Sequence, residues 1–166
     1  MRRLLVPLLF VALCILSSGA FAMIQTLSTE ELVAGSDLIV IASLKSSTEV
    51  GRTPEGFRQL DNVLVVAEVL KGEVLPGAEL TVATLGGFED GVEFPAQGKG
   101  VLFLRKSEDG RYEVHNLVQG WWPLGPQDAP GGMGTGISLG RLKEIIKGLA
   151  DGTIQVPPPA PPGEDL

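Results

Sequence analysis

Asp37-Leu38-Ile39-Val40-Ile41-Ala42-Ser43-Leu44 and Val63-Leu64-Val65-Val66-Ala67-Glu68-Val69-Leu70 are the stretches on which the fold turns. Both are apolar, β-branched runs of strand length. Turn residues bound them: Gly35-Ser36 before the first, Thr53-Pro54-Glu55-Gly56 between the two, Lys71-Gly72 after the second. In the second run Val63, Val65, Ala67 and Val69 alternate with Leu64, Val66, Glu68 and Leu70, so it is apolar on both faces as far as Glu68.

Downstream, Pro76-Gly77 punctuates the chain and Glu79 to Thr84 alternates cleanly, with Leu80 and Val82 pointing inward. Gly86 to Gly91 reads as a loop, and Val101-Leu102-Phe103-Leu104 as a fourth strand. Asp109-Gly110 is a hairpin signal, because glycine accepts the positive φ of a tight turn, and it leads into a strand over Arg111–Val118. Gln119 to Leu124 carries a further strand across Trp121 and Trp122. Upstream, Ser28-Thr29-Glu30-Glu31 fits a capping box and predicts a short helix through Leu32-Val33-Ala34. Five or six short strands without a helix of crossover length exclude a parallel α/β sheet. They predict a mainly β fold: a five- to six-stranded antiparallel OB-like barrel with a short N-terminal helix.

The barrel domain is expected over residues 23–125. Residues 126–137 form a Gly/Pro-rich linker, and Ser138 caps an amphipathic helix over 138–150, in which Leu139, Leu142, Ile145, Ile146 and Leu149 recur at helical spacing and pack on the barrel. Residues 151–166 end in a Pro-rich stretch that favours an extended, disordered tail. At the other end, Arg2 and Arg3 precede an apolar run from Leu4 to Leu16, and Ala20-Phe21-Ala22 is a small-x-small cleavage site. Residues 1–22 therefore read as an export signal cut between Ala22 and Met23, and the expected location is periplasmic or secreted. No stable membrane anchor is expected after cleavage. Cys14 would leave with the signal, so the processed chain would hold neither disulfide nor thiol nucleophile.

The chain carries 13 Lys+Arg and 20 Asp+Glu, a formal charge of −7, and loss of Arg2 and Arg3 takes it to −9. That balance, with no basic cluster, argues against nucleic acid and anionic lipid as partners.

With the strands placed, the pattern resembles the netrin-like barrel of tissue-inhibitor-of-metalloproteinase domains, an OB-type fold. Three motifs carry the resemblance: Ser36-Asp37-Leu38-Ile39-Val40-Ile41, Val66-Ala67-Glu68-Val69-Leu70-Lys71-Gly72 and Gly98-Lys99-Gly100-Val101-Leu102-Phe103-Leu104. More closely the chain resembles a group of exported bacterial proteins of undefined function, through Leu85-Gly86-Gly87, the fourth strand and Gln119-Gly120-Trp121. The resemblance spans about residues 27 to 124. It implies a fold and no reaction. The inhibitors chelate zinc through an N-terminal cysteine, and Met23 stands at the corresponding end here, so that mechanism is not implied.

Few residues offer chemistry. His115 is the single histidine and is expected on a strand, facing solvent or the barrel rim. Glu89, Asp90 and Glu93 surround Gly91 without the spacing of a calcium loop and read as a solvated turn. Gly131 to Gly136 lacks the Lys-Ser/Thr of a phosphate loop and reads as a connector. No metal or other cofactor is expected. Trp121 and Trp122, as strand neighbours, face opposite sides, so one enters the core and the other is either covered by the C-terminal helix or left as a binding anchor. Trp121, Trp122 and Phe88 are therefore the candidate partner-binding residues. The expected function is an exported, non-catalytic barrel that binds an extracytoplasmic protein or glycan. The alternatives are a protease inhibitor that does not use cysteine chelation, and an enzyme whose carboxylates, such as Glu68 or Glu113, converge on folding.

Overall fold

The computed structural model describes residues 25–158. The expected signal segment, its cleavage site at Ala22 and Met23, and the end of the Pro-rich tail lie outside the described residues. Helix α1 spans Thr29–Ala34, and its capping box is formed: Ser28 Oγ accepts from the Glu31 amide at 3.2 Å while the Glu31 carboxylate takes the Ser28 amide at 2.7 Å. Six strands follow, β1 (Leu38–Arg52), β2 (Arg58–Lys71), β3 (Glu79–Gly86), β4 (Lys99–Lys106), β5 (Tyr112–Val114) and β6 (Trp121–Pro123). Helix α2, Leu139–Asp151, ends on Gly152 at φ 77°.

The sheet order β1-β2-β3-β5-β4 closes on itself, because Leu38–Ser43 of β1 also pairs with Leu104–Lys99 of β4. The result is a closed five-stranded barrel of OB type with one added strand. β6 continues the edge that β5 opens: β4 pairs with β5 at Leu104–Lys106 and with β6 at Gly100–Leu102. Every ladder is antiparallel except β3–β5, where Val82 and Ala83 run parallel to Tyr112 and Glu113.

Two apolar layers explain why β1 and β4 are apolar on both faces. Inside the barrel lie Leu38, Val40, Ala42, Leu64, Val66, Val82, Leu102, Leu104 and Trp121. The alternate residues of β1 and β4, Ile39, Ile41, Val101 and Phe103, face outward onto Leu32 and Val33 of α1, Leu142 and Ile145 of α2, and Trp122. The two helices thus cover one outer face of the barrel, and β1 and β4 are buried on both sides at that place.

Several boundaries differ from the sequence expectation. β1 and β2 run past the barrel wall as a long hairpin, because exposed polar residues such as Ser46-Ser47-Thr48 carry no period that marks a strand end. β5 stops at Val114, and Leu117–Gly120 forms a 3₁₀ turn instead of strand. Residues 126–137 are not a loose connector: the segment makes two 3₁₀ turns and crosses the Trp122 ring at Gly134, where an added Cβ would come within 2.4 Å of the indole. Ile154 returns to the outer layer, its amide bonded to the Gly148 carbonyl at 2.9 Å, so the tail begins after it.

Candidate functional site

Both tryptophans are core residues. Trp121 is 8% exposed and meets Phe94 edge-on inside the barrel, with ring centroids 5.0 Å apart. Trp122 is 1% exposed under α2, packs on Phe103 at 4.7 Å, and donates its Nε1–H to the Gln119 carbonyl at 2.9 Å. Strand alternation sends the two rings to opposite faces, and each face happens to be an apolar layer. Neither indole is presented to a partner, which removes them as surface anchors. Phe88 is half-buried in a tilted pair with Phe57 at 4.7 Å, joining the β1–β2 turn to the loop after β3.

His115 also differs from the expectation of an outward strand residue. It follows β5 in a turn, half-buried, with its ring over Gly35, where an added Cβ would lie 2.5 Å from Cε1. Its Nδ1 is 3.1 Å from Ser36 Oγ. The Ser36 hydroxyl gives its one proton to the Leu32 carbonyl at 2.7 Å, so it accepts from a ring that carries its proton on Nδ1. A serine nucleophile needs the opposite arrangement, a bare ring nitrogen facing the hydroxyl, and Ser36 is 2% exposed. The pair therefore ties α1 to the end of β5. Lys71 completes the same corner by donating to the carbonyls of Val33 at 2.8 Å and Ser36 at 2.6 Å, at the negative end of α1.

Burial pushes the His115 pKa below its usual 6.5, and Arg105 adds to the shift, with Lys71 acting more weakly in the same direction; the Leu32 carbonyl and Asp37 act the other way. The folded state thus binds this proton less readily than the unfolded chain. Stability from this group is fully present above about pH 6.5 and falls as pH drops through the unfolded value. The slope of urea stability against pH between about 5 and 7 should flatten in His115→Asn, whose Nδ2–H still reaches Ser36. An unchanged slope would assign the dependence to other groups.

The acidic candidates are dispersed. Glu93 pairs with Arg58 at 2.5 Å and accepts the Gly87 amide at 2.9 Å, and the Arg58 hydrogen bond holds its carboxyl below the usual range. Asp90 contributes its backbone carbonyl to the Val118 amide. Glu68 is tied to Lys143 of α2 at 2.7 Å, whereas Glu113 sits on β5 beside Ser107, so these two do not converge. Among the described residues no three His, Cys, Asp or Glu side chains gather as a metal site would require. Nor is any described helix long and apolar enough to cross a membrane.

What the sequence did not single out is a groove of about 380 Å³ on β2, β3 and β5. Register places Asp61, Ala83 and Glu113 side by side in one row across these strands, and the buried Leu60 and Thr84 of the alternate face also line the groove. Ala83 is the small residue of that row, and the side chain of Arg111 reaches across to Asp61 at 2.9 Å while also holding Asp109 at 2.6 Å. Leu85, Val92, Val114 and Leu117 supply apolar walls, and Val50 reaches in from the tip of β1. Beneath it, Asn62 Nδ2 donates to Val82 O and Thr84 Oγ1, while its Oδ1 has no partner among the described residues. Only the β3–β5 contact makes this groove, and that contact joins strands with no signal of pairing in the sequence. No protein-family model and no curated protein matches the chain.

Proposed function

We propose that this chain is an exported, non-catalytic OB-like module that binds an extracytoplasmic partner in the groove over Ala83. The single observation that carries the reading is the composition of that groove. It has apolar walls for burial and a rim of Gln59, Asp61, Arg111 and Glu113 for orientation, as small recognition sites do. A polypeptide suits the lining better than a glycan, because sugar rings stack on exposed aromatic faces and both indoles are buried.

The test fills the groove. Ala83→Arg places a long cation in the middle of the row, next to Arg111, and leaves the interior of the barrel untouched. The parent protein and the variant, both shown folded by circular dichroism, are immobilised and exposed to the proteins and, separately, the glycans of the source's extracytoplasmic fraction. A partner retained by the parent and lost by at least tenfold with Ala83→Arg is the expected result. Equal retention by both would place recognition elsewhere.

A further inference from the structure

Among the described residues, the outer half of β1 has an edge with no partner. β4 covers that edge from Leu38 to Ser43, and the Gly98 carbonyl takes the Leu44 amide; from Lys45 to Arg52 no described residue pairs with it, while β2 holds the other edge throughout. An open edge is a row of unpaired backbone donors and acceptors, and another strand completes it. We propose that the chain forms an antiparallel homodimer through this edge, β1 against β1, with Ser47 on the two-fold axis.

Symmetry and charge select that register. A two-fold axis perpendicular to the sheet keeps each side chain on its own face, so the allowed registers are those in which one residue faces its own copy. Centring on Lys45 or on Glu49 sets like charges directly opposite, which is destabilising. Centring on Ser46 or Thr48 leaves both charges against uncharged residues. Centring on Ser47 sets Lys45 opposite Glu49 of the second copy and Ser46 opposite Thr48 of the second copy, each pair occurring twice. Lys45 already meets Glu79 at 2.5 Å and Glu49 meets Arg52 at 3.0 Å, so the new pairs join an alternating row of charges instead of standing alone. Lys45 and Val50 are the extra residues of the register shifts at Leu44/Ser46 and Glu49/Gly51, and the added twist of such bulges confines the contact to the short stretch from Lys45 to Glu49.

Sedimentation equilibrium of the purified protein tests this without reference to the groove. The expected result is a reversible dimer. Lys45→Glu or Glu49→Lys alone should weaken it about tenfold, from two lost and two repulsive pairs, and the double swap Lys45→Glu/Glu49→Lys should restore it. In a Cys14→Ser background, Ser47→Cys should cross-link to its own copy under oxidising conditions, since directly opposed residues lie within disulfide reach. A monomer at all concentrations would overturn the proposal. So would a dimer indifferent to Lys45→Glu with no Ser47→Cys cross-link, or a monomer whose edge captures a different polypeptide.

Discussion

Trp122→Ala is expected to lower the unfolding free energy by about 3–5 kcal/mol, read as a shift in the urea midpoint by far-UV circular dichroism. The side chain is fully buried between Phe103 on the barrel wall and the Gly134 segment, within the layer that Leu142 and Ile145 of α2 share. Removing it empties the centre of that layer, and the flanking backbone of β6, bonded to β4 at Val101, holds the walls apart. The indole also leaves behind a Gln119 carbonyl that has lost its donor. A loss under about 1 kcal/mol would mean that α2 and the 126–137 segment collapse onto the barrel, and that the outer layer is softer than its burial indicates.

Gly100→Ala is the second large expected effect, and it acts by overfilling. A Cβ at this position on β4 would stand 2.2 Å from Cη2 and Cζ3 of Trp121 and 2.7 Å from the Trp122 carbonyl. The ring is held in the barrel against Phe94, and the carbonyl is backbone of the neighbouring strand, so neither yields freely. The expected cost is about 1–3 kcal/mol, at the upper end of that range. Coupling identifies the cause: in a Trp121→Leu background the added methyl should cost less, because the atoms it meets are gone. An equal cost in both backgrounds would assign the clash to the Trp122 carbonyl.

Local signals in the chain were enough for the class of fold. Ser28 and Glu31 form the capping box their spacing announced, Asp109-Gly110 turns the chain between β4 and β5, and the helix of Leu142 and Ile145 buries the side its periodicity marked. The site was far less legible. Asp61, Ala83, Arg111 and Glu113 form one surface only because β5 lies beside β3, a parallel contact over Val82 and Ala83 with no trace in either segment alone. The free edge of β1 was hidden for the same reason: whether a strand has one neighbour or two is a property of the sheet.

Hydrophobic periodicity, caps and turn residues are local, and they suffice to mark this chain as mainly β, to place its strands and helices approximately, and to send Trp121 and Trp122 to opposite faces. Tertiary structure decided what each face meets. Barrel closure puts Trp121 inside, and the helices with the Gly134 segment put Trp122 under cover, so two residues that read as candidate anchors became core. It also decided that Gly100, Gly134 and Gly35 are sites of close approach, that His115 serves Ser36 and α1, and that a groove opens over Ala83. The physical reason is range: burial and pairing between residues tens of positions apart depend on which strands become neighbours, and the closed barrel sets that order.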